Sequence, residues 1–407
     1  MPRTIPIPPP QLRAPELTTW TLKLRTITPM FGGSATPREV DPKNPVRAAS
    51  VRGHLRFWWR ATAGAQYASA EELFKAEEEI WGSAEKYGKV ALRVLEQSAG
   101  QAVRPSELVP DRGTARTGPM EKFFLHPFNE NRSEGLSEAS GLKSVEFTLE
   151  LTHTLSETEA EHLRRAVRAW IAFGGIGART RRGVGALEVT ANLKDWLPAT
   201  PDQLKTWFAV PPQKEVHHTT LAGAVICLGQ PRKPSNTDPY KGHSAWRELG
   251  RFWARFRKGH YLEDPVTGET MAYTPMAGGK WRDHKTLLAL RPRQERIALA
   301  KPFYGLPIVY QRLGDSFSGT LEAVHSGGRR MASPVILKPI AFADGSIWPA
   351  VIILNAPAPT RIRVNGEELS LQIPDNDPVL DALEADEPLE AVRKAAQLQG
   401  FTQEVRL

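Results

Sequence analysis

Two stretches of this chain share one design: a strand, a loop rich in glycine and proline, and a helix crowded with arginine and tryptophan. Residues Thr19–Thr28 (TWTLKLRTIT) alternate apolar and polar side chains with many β-branched residues, the period-two pattern of a half-buried strand. After the loop Pro29–Pro45, Val51, Leu55, Trp58, Trp59 and Thr62 recur at helical spacing, with Ser50 in the position of an N-cap. In the second half Thr220–Leu228 reads as a strand and Gly242–Gly259 as a helix, where GRFWARF echoes the earlier LRFWWRA. The echo suggests one fold used twice. A length of 407 residues fits two domains of ordinary size.

Between these units the periodicities order the first half. A helix is expected at about Ala70–Trp81 and a strand at Lys89–Leu95. Residues 96–143 are rich in Pro, Gly and Ser, too long for an ordinary connection, and read as an insert with an aromatic knot at Met120–Phe128. Ser144–Thr152 alternates again, and Ser156 with Glu159 forms a capping box before a helix carrying Leu163, Val167, Trp170 and Ile171 on one face. Ala186–Thr190 closes a β-α-β-β-α-β order, the ferredoxin-like arrangement. The chain therefore divides into a proline-rich leader (1–18), an N-terminal domain (19–195), a linker (196–216) and a C-terminal domain (217–407). In the last of these, strands are expected near Gly305–Gln311, Pro334–Phe342 and Trp348–Leu354, and one closing helix at Pro378–Leu398. The class is α+β.

Composition narrows the chemistry. A net charge of +8 points to a polyanion, nucleic acid before membrane. Nine acids and no base fall between Asn365 and Ala391, so the basic charge belongs to the rest of the chain. The single cysteine, Cys227, excludes an internal disulfide framework and a multi-cysteine zinc site and suits a reducing, cytoplasmic setting. No HExxH pattern or compact acidic pair accompanies the basic regions, and neither a metal nor a cofactor is expected.

Two elements carry candidate binding chemistry. Arg52, Arg56 and Arg60 stand four apart and form one helical stripe, with Arg47 just upstream and no acid between Val46 and Glu71. Guanidinium forks of this kind suit phosphate oxygens. The second element, GGIGARTRRGVGAL (Gly174–Leu187), interleaves glycines with Arg179, Arg181 and Arg182 and contains no acid. It follows a helix and precedes a strand, the reverse of a P-loop, and lacks GK[ST], so it reads as a loop that lets a polynucleotide backbone approach Gly174, Gly175 and Gly177. Arg329 and Arg330 make a further basic turn, and a belt from Arg251 to Arg296 adds diffuse positive charge.

TPMFGG (Thr28–Gly33), RAASVRGHLRFWWRA (Arg47–Ala61) and GGIGARTRRGVG (Gly174–Gly185), in that order, resemble the RAMP superfamily of CRISPR-associated proteins. YGLPIVYQ (Tyr304–Gln311) and RRMASPVILKPI (Arg329–Ile340) narrow the resemblance to the first subunits of Cmr complexes, the type III-B effectors. It implies two tandem ferredoxin-like, RRM-related domains in an RNA-binding subunit that contacts CRISPR guide RNA or target RNA and other RAMP subunits. Arg47, Arg52, His54, Arg56, Arg60, Gly174, Gly175, Gly177, Arg179, Arg181, Arg182, Arg329 and Arg330 would form its RNA surface, with RNA read by shape. Repeat-processing members of the superfamily cleave RNA without metal, and His54 is the candidate acid or base for that alternative. The preferred reading assigns no catalytic residue. Phe123 and Phe124 are expected to pack the insert, the resemblance offering a wedge into a guide–target duplex as the other role.

Overall fold

The computed structural model describes residues 16–108, 122–210, 217–258, 262–263, 270–271, 281–313, 317–325 and 328–407. Most of the leader, residues 211–216 of the expected linker, Met120, Lys280 and Gly327 lie outside the described residues, as do the side chains of Phe123 and Lys258.

Strand β1 (Thr18–Thr26) turns Leu22 and Leu24 inward and Thr21, Lys23 and Arg25 outward. It is followed by α1 (Ala48–Ala61), α2 (Ala70–Trp81), β2 (Val90–Ser98), β3 (Glu146–His153), α3 (Glu157–Phe173) and β4 (Leu187–Val189). The sheet order is β2-β3-β1-β4 with every neighbour antiparallel, β1 meeting β3 from Thr18↔His153 to Arg25↔Glu146. Together with the element order this is the ferredoxin-like topology. The capping box at Ser156 and Glu159 opens α3 as expected. Helix α1 starts three residues before its expected cap: Arg47 is the N-cap, without a side-chain bond, and Ser50 lies inside the helix.

The second half repeats the plan. Strand β5 (Thr220–Leu228), α4 (His243–Lys258), β6 (Val335–Ala341), β7 (Ile347–Asn355), α5 (Pro388–Leu398) and β8 (Gln403–Arg406) form a sheet of order β6-β7-β5-β8, again antiparallel throughout. Inserted into this unit is a five-stranded sheet made of Arg296–Ala298, Ile308–Leu313, Phe317–Ala323, Arg361–Val364 and Glu367–Gln372. The strand expected near Gly305–Gln311 belongs to this accessory sheet. The single closing helix is two pieces, Pro378–Ala382 and Pro388–Leu398. Glu384, between them, has a positive φ of 50° that no helix accommodates. The expected linker contains a helix at Pro201–Phe208, held to the first domain's core by fully buried Leu204 and Phe208.

The two units are stacked in four layers. Helices α1 and α3 lie under the first sheet, and their far side meets the second sheet, whose Ile226, Ile336, Ile340, Ile352 and Leu354 join the first domain's core. On the other face, Cys227, Val335, Leu337 and Val351 pack on α4 and α5. All seven residues of β6 are therefore buried, which explains its continuous apolar run in place of alternation. Lys338, inside that run, is fully buried and donates to the Ile171 carbonyl in the last turn of α3. Burial pushes its pKa well down, and the negative end of the helix favours what charge it keeps.

Gln101–Val103 and Gly141–Lys143 of the 96–143 insert form a small sheet with Met30–Phe31. Phe124 is fully buried against Trp246 of α4, and Phe128 stacks on Phe31 at 4.8 Å. Arg38 ties the insert down by donating to the carbonyls of Pro127, Phe128, Asn129 and Ser137. Phe124 is thus a packing residue. No helix among the described residues is long and apolar enough to cross a membrane.

Candidate nucleic-acid interface

The arginine stripe of α1 turns towards α2. Glu77 of α2, only 4% exposed, places Oε1 2.6 Å from both Arg56 Nε and Arg60 Nη1. Arg52 donates to the Trp81 carbonyl, which α2 leaves open at its C-terminus, and its guanidinium lies 5.9 Å from the Trp81 ring centroid. The expected uncompensated stripe is thereby corrected: its acid lies beyond the local sequence window and is brought in by the packing of α2. These three arginines fasten α2 and keep partial exposure, whereas Arg47, at the helix start, is exposed and forms no ion pair among the described residues. Asp41 caps a turn by accepting from the Asn44 and Lys43 amides, which lower its pKa, with a smaller contribution from Arg47 nearby.

The glycine-rich loop is laid along the TPMFGG segment. Thr28 Oγ1 donates to the Gly183 carbonyl at 2.6 Å and accepts from the Ala186 amide at 2.8 Å. The Gly185 amide reaches Pro29 O, and the Ala178 amide reaches Phe31 O, both at 2.8 Å. Gly174 and Gly175 are buried in this packing. Gly177, with φ +78°, passes so close to Phe31 that a Cβ would sit 2.6 Å from its carbonyl oxygen.

The loop's arginines separate into two roles. Arg181 donates to the Ser333 carbonyl and lies over the Phe57 ring at 5.3 Å. Arg182 donates to Val335 O at 2.8 Å and lies 4.7 Å from the Trp253 ring centroid, while its own carbonyl accepts from Trp246 Nε1. Burial drives the Arg181 pKa down to about 10 and that of Arg182 further. Both therefore bolt the first domain to the second, which corrects their assignment to phosphate. Arg179 stands apart at a left-handed corner with φ 59°, exposed, with no hydrogen bond or ion pair among the described residues.

What remains is a cleft of about 200 Å³ between the start of α1 and the loop, lined by Met30, Gly33, Arg47, Ser50, His54 and Gly177 among others. Among the described residues no carboxylate lines it. Burial lowers the His54 pKa, so the imidazole is neutral at pH 7. The cleft brings together Arg47, His54 and Gly177, with Arg179 adjacent in sequence to its Ala178 wall. Gly33 and Ser50 belong to it too; the TPMFGG motif was the sequence signal for the first, and nothing local marks Ser50.

The open face of the first sheet offers a different surface. It presents Thr19, Thr21, Lys23, Arg25, Arg93, Glu150 and Thr152, with Thr19 bonded to Thr152 and the ion pairs Arg25–Glu188 and Arg93–Glu150. Among the described residues this face carries no aromatic side chain of the kind on which RRM domains stack bases. In the second half Arg329 lies 3.7 Å from Glu322, and Arg330 is exposed. Arg282 donates to the Asp375 and Asn376 carbonyls, which removes one cation of the expected belt.

A model of the RAMP superfamily matches residues 23–188, from β1 to β4, and so takes in both walls of the cleft. The matched stretch is the ferredoxin-like unit that carries TPMFGG, the α1 start and the glycine loop. The Cmr subunit Cmr1-2 of Pyrococcus furiosus is 29% identical over 177 residues, 41% of this chain and 92% of that protein. The crystal structure of Cmr1 from Pyrococcus furiosus, in its apo form, matches 84% of this chain and 89% of its own with a TM-score of 0.53 at 15% identity, a likeness of fold. A chain of the type III-B Cmr-beta complex bound to cognate target RNA covers 94% of this chain and all of its own with a TM-score of 0.46 at 14% identity.

Proposed function

We propose that this chain is a RAMP-superfamily protein and serves as a non-catalytic RNA-binding subunit of a type III-B CRISPR (Cmr) ribonucleoprotein, working in the cytoplasm against foreign RNA. Its partners are guide RNA, target RNA and other RAMP subunits. The observation that carries the reading is the cleft itself, which no carboxylate lines among the described residues and which sets Arg47 beside the Gly177 backbone, with exposed Arg179 next in sequence to its Ala178 wall. Kinship with a Cmr subunit supplies the complex.

Binding of the purified chain to labelled single-stranded RNA tests it. Arg47→Glu with Arg179→Glu is expected to weaken affinity about tenfold or more and to reduce the salt slope by about 1.4, the counterions of two phosphates on a single strand. Undiminished affinity in that variant removes the site. A second reading, metal-independent RNA cleavage, rests on the neutral His54 imidazole in the same cleft. Cleavage in EDTA that is lost in His54→Ala would establish it.

A further inference from the structure

A second basic groove, of about 590 Å³, opens at the opposite end of α1, between the second ferredoxin-like unit and its accessory sheet. Its polar side chains are His217, His218 and Thr219 before β5, His325 and Arg330 from one turn, and Thr360 and Arg361 at the start of an accessory strand. Its apolar wall is Phe303, Met331, Leu389 and the Pro357–Pro359 segment. Among the described residues no carboxylate lines it. The groove touches α1 through His218, whose Nε2 lies 3.2 Å from the Arg60 carbonyl oxygen. His325 Nε2 lies 2.7 Å from the Arg330 carbonyl oxygen. A carbonyl only accepts, so both imidazoles carry a proton on Nε2, and these bonds hold the rings in place before any ligand arrives. Arg330 itself is exposed and forms no ion pair among the described residues.

We propose that this groove binds one nucleotide of a single-stranded RNA, with Arg330 on a phosphate and the base against Phe303, Met331 and the proline wall. Arg361 is paired with Glu368 at 3.4 Å, so Arg330 is the rim cation that selects an anion, and the apolar floor selects one with a flat hydrophobic part. The volume is that of a small-molecule site. The inference rests on the RNA-binding reading and extends it to a second place on the molecule. With a rise of 1.5 Å per residue, Arg47 and Arg60 stand about 20 Å apart along α1. A strand held in the first cleft therefore raises the local concentration of its own neighbouring nucleotides at the groove.

The test uses the full chain and a uridine-rich single strand carrying 4-thiouridine, with crosslinked peptides mapped after irradiation and affinities measured in parallel. Crosslinks to Phe303, Met331 or residues 356–361 are expected. Arg330→Glu should remove those crosslinks, keep the ones near Gly177, and weaken affinity about fivefold. Arg330 is exposed, so this variant is expected to fold, which circular dichroism checks. Crosslinks confined to the first cleft, or an Arg330→Glu variant with unchanged affinity and crosslinks, would overturn the groove as a nucleotide site while leaving RNA binding intact. Absence of RNA binding altogether overturns both readings, and the Arg47→Glu/Arg179→Glu variant shows which site carries any binding that is present.

Discussion

At the scale of single residues, most of the arginines that look free in the sequence are spoken for. Glu77 is the clearest case, one buried carboxylate shared by Arg56 and Arg60 from the neighbouring helix. Glu77→Gln should lower stability by about 2 kcal/mol, read as a shifted urea midpoint, because two guanidinium groups lose the buried negative charge they share. RNA affinity should hold or rise, since it frees two cations. The histidines set an acid limit. Burial lowers the pKa of His54, and burial with Arg164 lowers that of His153, whose Nδ1 accepts the Leu155 amide at 3.3 Å. Below the ordinary value near 6.5 the unfolded chain takes up protons that the folded chain refuses, so stability falls as pH drops from about 7 towards 5. Thermal unfolding across that range checks the sign, and His153→Gln should flatten the slope. None of these partnerships is visible in a sequence window. Glu77 lies a loop away from the stripe, and Arg181 and Arg182 find their carbonyls in the other domain, at Ser333 and Val335.

At the scale of elements, the sequence is more informative, because hydrophobic period and caps are local. The strands, α1, α2, α3 and the capping box of the first unit are legible, as is the echo of α1 in α4. The strand near Gly305–Gln311 is present at Ile308–Leu313, in an added sheet that its pattern could not specify, and the one closing helix breaks where Glu384 adopts a left-handed backbone. Periodicity reports which face is buried, not what covers it. The glycines divide along the same line. Gly185, with φ +63°, would put a Cβ 2.0 Å from the Ile176 carbonyl oxygen, so Gly185→Ala should cost about 3 kcal/mol or more. Gly53 is an exposed interior position of α1 with nothing within 4 Å of a Cβ. Gly53→Ala should stabilise by about 0.5–1 kcal/mol in denaturant melts.

At the scale of the whole molecule, the second ferredoxin-like unit is not a neighbour but a layer. Each of Ile226, Ile336, Ile340, Ile352 and Leu354 loses its cover if the first domain is removed, at about 1.5–3 kcal/mol per side chain. In the isolated first domain Arg181 and Arg182 would lose their partners Ser333 and Val335 as well. Residues 16–210 and 217–407 produced as separate chains should therefore aggregate alone yet co-purify when expressed together, and separate soluble fragments would contradict the layered core. Such a pair would behave as an obligate heterodimer, whose interface resembles a domain core cut in half. Helices α1 and α3 serve two sheets at once, so the chain is in effect a dimer of like folds closed on itself, and its connecting segment acts chiefly to keep one partner always within reach of the other.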